Sequence, residues 1–244
     1  MAGADGLECG GLICFPLDLP RVEYDALAPL LDAEERRRAA RFHAARHGTR
    51  FTVAHARLRQ ILGHVLDADP AELRFGKGVA GKPELAGTAA SSGLQFNLSH
   101  SGGWGLAGWA QARSIGVDVE VWRETSDEAA LVRRYFSAAE ISAYEALPAV
   151  QQREGFFNAW TRKEAYVKAL GRGLTLPLAS FDVSLGSGAL AQLLRPASVE
   201  GDTRVWSLAA PAGVTGTSLA VVLQADVLKI SSPVETARAS PISG

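Results

Sequence analysis

The chain has 244 residues, 47% of them hydrophobic and 21% charged, a formal net charge of -1 and a mean hydropathy of +0.05. This excludes disordered and collagen-like chains, and near-neutrality offers no bulk attraction to nucleic acid. The length allows one large domain or two lobes of roughly 110 residues each.

Elements follow in order. Residues 7–16, LECGGLICFP, read as a first strand, with Cys9 and Cys14 expected to be plain buried thiols because their spacing suits neither a redox pair nor a metal. EYDALAPLLDAEERRRAARF reads as helix with a break near 32–34, and TRFTVAHARLRQILGHVL keeps helical apolar spacing. Eight arginines and no acidic residue lie between Arg36 and Arg59, either a solvated helical face or a site for a phosphate-rich ligand.

DADPAELRF is expected to turn into a short strand, and GKGVAGKPELAGTAASSG to be mostly loop. LQFNLSH, WGLAGWA and SIGVDVEVW predict three neighbouring strands. SAAEISAYEAL is a helix with Ser137 as N-cap and Glu140 at the capping-box position. The long helix containing FFNAWTRKEAYVKAL follows, ended by Gly171 or Gly173. FDVSL, TRVWSLAA and SLAVVLQA close as strands. The division expected is an N-terminal lobe over 1–113, a C-terminal lobe over 114–229 and a flexible tail over 230–244. No apolar run reaches the roughly 20 residues of a membrane span, and the start lacks the pattern of a signal peptide, so a cytoplasmic location is expected.

Four short motifs carry chemistry. In SIGVDVEVW strand alternation puts Gly116, Asp118 and Glu120 on one face and the apolar residues on the other. Two carboxylates side by side repel, and a hard divalent cation such as Mg2+ removes the conflict; a polar outer face of an edge strand is the plainer alternative. On the long helix Trp160, Glu164 and Lys168 share a face at i, i+4 and i+8, with Lys163 beside them. In GVAGKPEL, Pro83 keeps Lys82 out of helical geometry and Gly81 allows close backbone approach. In FNLSHSGGW, Ser99 and His100 point to opposite faces and cannot form a nucleophile–base pair. GxSxG and HExxH do not occur.

In this order, GKP, FNLSHS, GVDVE and WTRKEAYVKALGRGL resemble the Sfp-type 4'-phosphopantetheinyl transferases, over roughly residues 33 to 185. The resemblance implies an α/β (α+β) fold of two similar lobes related by a pseudo-twofold axis, with the site in the cleft between them. It implies transfer of the phosphopantetheine arm of coenzyme A to a serine of an apo acyl or peptidyl carrier protein, Mg2+-dependent, leaving 3',5'-ADP. By the same resemblance Asp118, Glu120 and Glu164 hold the metal, and Glu164 also acts as base. Lys168 contacts the pyrophosphate. Arg38, Lys77, Gly81, Lys82, Pro83, Ser99 and His100 hold the nucleotide. Trp160 is expected to fix the helix against the acidic strand. The length implies a monomer serving polyketide or nonribosomal peptide synthesis. A module that binds coenzyme A without transferring anything is the alternative.

Overall fold

Local sequence sets the helices before any packing does. Asp32 caps helix α2 (Ala33–Ala40): its side chain accepts from the Glu35 amide at 2.8 Å, and Glu35 returns the bond to the Asp32 amide at 3.0 Å. The expected break near 32–34 is this cap, which separates α2 from α1 (Arg21–Leu27) and a 3-10 turn over 28–30. Helix α3 (Ala45–Leu66) ends at Asp67, in the left-handed region at φ 50. A second capping box, Ser137 with Glu140, opens α5 (Ala138–Glu145). Helix α6 (Ala149–Leu170) stops at Gly171, φ 69. Helix α4 (Glu128–Tyr135) has no counterpart in the sequence reading.

The structure, a computed structural model, describes residues 10–78, 81–124, 127–186, 190–200, 202–224 and 235–236. Cys9 lies outside them. In chain order the strands are β1 (Gly11–Pro16), β2 (Arg74–Lys77), β3 (Pro83–Ala86), β4 (Leu94–Ser101), β5 (Trp104–Gln111), β6 (Ile115–Val121), β7 (Asp182–Val183), β8 (Leu193–Arg195), β9 (Trp206–Ala209), β10 (Thr217–Gln224) and β11 (Glu235–Thr236). Of the stretch expected to be a flexible tail, only 235–236 are described, and they pair in parallel with β1.

One sheet runs β11-β1-β5-β4 and a second runs β6-β10-β9. One expectation needs correcting and one needs refining. The Gly- and Ala-rich stretch is not mostly loop, because β3 pairs antiparallel with β2 and a 3-10 helix covers 87–92. The three apolar runs do form neighbouring strands, though in two sheets. β4 and β5 pair, whereas β6 leaves to pair with β10.

Strand alternation sorts the core into layers. Phe15, Ala107 and Trp109 pack with Val53, Leu58 and Leu62 of α3. The opposite faces of those strands give Cys14, Leu106 and Ala110, which meet Ile115, Val117, Val119, Leu219 and Val221 between the two sheets. Ala220 and Val222 pack with Phe156, Phe157, Tyr166 and Val167 of α6. The result is helix, sheet, sheet, helix, an α+β fold. Cys14 is a buried free thiol, pushed up to about 11 by that burial. Among the described residues no helix is long and apolar enough to cross a membrane.

Candidate active site

The seam between the two sheets is polar along one strip. Alternate residues of β4 face β6: Asn97 Oδ1 accepts from the Val117 amide at 2.8 Å, Ser99 Oγ donates to Asp118 Oδ1 at 2.7 Å, and Ser101 Oγ donates to Glu120 Oε2 at 2.6 Å. The spacing N-x-S-x-S in FNLSHS is thus a row of side-chain teeth doing what a backbone ladder would otherwise do. It carries Asp118 and Glu120 into the interior.

On the other side of β6 lies α6, and Gly116 sets their separation. An ideal Cβ on Gly116 would stand 2.1 Å from the Ala165 carbonyl oxygen and 2.3 Å from the Ala169 amide nitrogen. Only glycine allows that approach. It brings Lys168 Nζ to 2.5 Å from Asp118 Oδ1 and 3.1 Å from Ser99 Oγ. Asp118 is 3% exposed, and its Oδ2 has no hydrogen-bond partner among the described residues.

Burial raises the pKa of Asp118 even with Lys168 and Ser99 opposing it. Glu120 and Glu164 are also raised, first by burial and then by the charge of Asp118. Asp118, whose charge raises both Glu120 and Glu164 and whose Oδ2 is unpartnered, is a hard-oxygen donor of the kind that Mg2+ suits. Among the described residues, however, no three acidic, His or Cys side chains converge closely enough to hold a metal ion. The Lys168 ammonium is the counter-ion of Asp118 in this geometry.

The other motif residues divide. Arg38, Lys77, Gly81, Pro83 and His100 line one cavity of about 650 Å³. A neighbouring hollow of about 660 Å³ is lined by Glu34, Arg37, Arg38, Arg41 and Lys77. Ser99 serves the seam instead. The Lys82 side chain donates to the main-chain carbonyls of Ile115 at 2.6 Å and Lys168 at 3.1 Å. It ties the GKP loop to the start of β6 and the last turn of α6, and burial lowers its pKa to about 8. His100 is exposed at the cavity mouth. Its pKa is lowered by local desolvation and then by nearby positive charge, Lys168 and Arg38 among it.

Other charges prove structural. Lys163 is fully buried, 2.7 Å from Glu140 and donating to the carbonyls of Leu178 and Phe181, each at 2.7 Å. The arginine-rich segment is not a uniform face either. Arg59 is fully buried against Glu35 and Asp32, and Arg50 pairs with Asp18. Trp160 lies edge-on to Tyr135 of α4, with ring centroids 5.5 Å apart, so it braces α6 against α4; the close fit to the acidic strand belongs to Gly116. Phe51, His55 and Asn97 line the cavity without having been singled out in the sequence. The i, i+4 spacing of Phe51 and His55 was the available signal.

Fold and site define an α+β protein with a nucleotide-sized cavity, lined by Arg38 and Lys77 but also by Asp32, Glu34 and Glu35, beside a buried carboxylate–lysine pair. Family models agree: residues 114–213 match the 4'-phosphopantetheinyl transferase superfamily, and residues 20–110 match the 4'-phosphopantetheinyl transferase N-terminal model. The chain is 42% identical over 159 residues to the 4'-phosphopantetheinyl transferase HetI of Nostoc sp., covering 65% of this chain and 67% of that one. It is 32% identical over 163 residues to a 4'-phosphopantetheinyl transferase of Bacillus subtilis (67% and 70%). It is 29% identical over 167 residues to Sfp of the same species (68% and 72%). The chain belongs to the 4'-phosphopantetheinyl transferase family.

Proposed function

We propose that this protein transfers the 4'-phosphopantetheine arm of coenzyme A to a serine of an apo acyl or peptidyl carrier protein, with 3',5'-ADP as leaving group. The observation that carries this is the meeting, at β4, of two unlike environments. His100 faces the cavity that Arg38 and Lys77 line, and its neighbour Ser99 faces Asp118 and Lys168.

In this reading Arg38, Lys77 and His100 hold the phosphates of the nucleotide, while Gly81 and Pro83 shape the cavity rim. The pyrophosphate extends towards Lys168. Asp118, Glu120 and Glu164 would hold Mg2+, which supplies charge neutralisation on phosphate oxygens. Glu164 takes the proton of the carrier serine as its oxygen forms a bond to the β-phosphorus. The bond from that phosphorus to the bridging oxygen breaks, the electron pair leaves on 3',5'-ADP, and Lys168 stabilises the charge that develops. Lys82 acts by tying loop to helix and not by contacting the nucleotide through its ammonium.

The protein acts as a cytoplasmic monomer whose lobes, 1–113 and 114–229, meet at the seam, and its carriers belong to polyketide or nonribosomal peptide synthesis. The test is chromatographic detection of 3',5'-ADP from coenzyme A. Release that requires a carrier with its acceptor serine supports the reading. Release unchanged when that serine is replaced by alanine refutes it.

A further inference from the structure

The cavity wall holds a histidine that the proposed chemistry does not use. His55 of α3 is 17% exposed and lines the cavity with Arg38, Lys77 and His100. Its ring stacks on Phe51 at 4.0 Å between centroids with an interplanar angle of 29°. Its Nδ1 is 2.9 Å from Glu35 Oε1.

Glu35 is itself immobilised. Its Oε2 accepts from Arg59 Nε at 2.8 Å and from the Asp32 amide at 3.0 Å. Burial opposes its charge, but the bonds from His55 and Asp32 and the charge of Arg59 outweigh that and hold the carboxyl below its usual range. An ionised carboxylate only accepts, so the proton in this bond sits on Nδ1 of His55. Nε2 has no hydrogen-bond partner among the described residues. It is the ring atom that can take a second proton.

The surrounding charges divide by side. Behind His55, Arg59 faces both Asp32 and Glu35, leaving one negative charge in excess that an imidazolium balances. In front of it Arg38, Lys77 and His100 disfavour a further cation, and Glu34 partly offsets them. A phosphate entering between these groups reverses the balance on that side.

We propose that His55 is a phosphate-binding residue of this cavity, taking a proton from solvent onto Nε2 as a nucleotide phosphate binds, while Glu35 holds Nδ1–H. This rests on the reading that the cavity takes coenzyme A. The carboxylate–imidazole pair then makes affinity depend on pH. Where the free ring is neutral, a ligand whose binding brings one proton loses about tenfold in affinity per pH unit.

Calorimetric titration of the full chain with coenzyme A, near neutral pH in two buffers of different ionisation enthalpy, counts the protons taken up. His100 also titrates in this wall, so wild type, His55→Gln and His100→Gln are compared, with thermal melts to show that each is folded and His55→Asn as a second replacement. The expected result is that His55→Gln takes up fewer protons per coenzyme A than wild type, binds about tenfold or more weakly, and has a shallower pH dependence. His100→Gln keeps the His55-dependent uptake. Titration with dephospho-coenzyme A separates the sources: uptake lost there assigns the 3'-phosphate, and uptake retained assigns the pyrophosphate. Equal proton uptake by wild type and His55→Gln, with coenzyme A still bound by both, overturns the assignment to His55. Failure of wild type to bind coenzyme A overturns the reading of the cavity itself.

Discussion

Replacing Gly116 by alanine tests whether the close approach of β6 and α6 builds the site. The added Cβ would lie 2.1 Å from the Ala165 carbonyl oxygen and 2.9 Å from the Ala169 Cα, where ordinary contact begins at 3.4 Å. Both neighbours are backbone, so no side chain can rotate aside, and relief requires the helix to move by about 1.3 Å relative to the strand. Overpacking of this kind costs about 1–3 kcal/mol. For a chain of this size that is several degrees in Tm, at about 2–4 °C per kcal/mol. The displacement also draws Lys168 away from Asp118 and Ser99, and a misplacement of about 1 Å commonly lowers a rate about 10²-fold. Urea unfolding gives the first quantity, and transfer kinetics at saturating coenzyme A the second. A Gly116→Ala variant with wild-type stability and wild-type kcat would refute the role given to this approach.

Lys163 and Lys168 should separate cleanly. Lys163→Met strands the buried carboxylate of Glu140 and should cost about 3–5 kcal/mol in a thermal or urea melt. Lys168→Met removes the partner of Asp118 from a lysine that is 28% exposed, so it should cost less stability than Lys163→Met while losing about 10²–10³ in kcat. Asn97→Ala leaves the buried Val117 amide without its acceptor, a loss of about 1–3 kcal/mol that denaturant titration would show. Lys82 titrates at about 8 in the folded protein against a normal 10.5, so the folded state binds fewer protons than the unfolded state between those values. Its contribution to stability therefore rises with pH across that window, by up to about 1.4 kcal/mol per pH unit. Lys82→Met should flatten the rise in a pH series of melts, and an unchanged slope would contradict the buried ammonium.

Legibility followed the range of the interaction. Period-two alternation placed Asp118 and Glu120 on one face of β6, and the Ser137–Glu140 box appears as read, because both depend on neighbours within a few residues. Gly116 was read as part of that face, but its tight fit to α6 depends on a helix about 50 residues away along the chain. The same distance problem hid the burial of Lys163, whose partners come from α5 and from the segment after α6. Strand β6 does lie beside β4, but its membership of the second sheet was not legible, because local pattern shows that a strand forms and not which sheet it joins. Lys82 was assigned to the nucleotide by motif. Its side chain instead reaches two carbonyls, one of them 86 residues away, a bond that only the assembled fold creates.

The central claim is that the cavity and the carboxylate–lysine pair together move phosphopantetheine from coenzyme A to a carrier serine. Intact mass spectrometry of an apo carrier protein, incubated with this protein, coenzyme A and Mg2+ beside an EDTA control, tests it most directly. The account predicts a carrier heavier by one phosphopantetheine arm, with the gain abolished by EDTA. No gain across acyl and peptidyl carriers, while coenzyme A still binds, would contradict it and leave a binding module in its place.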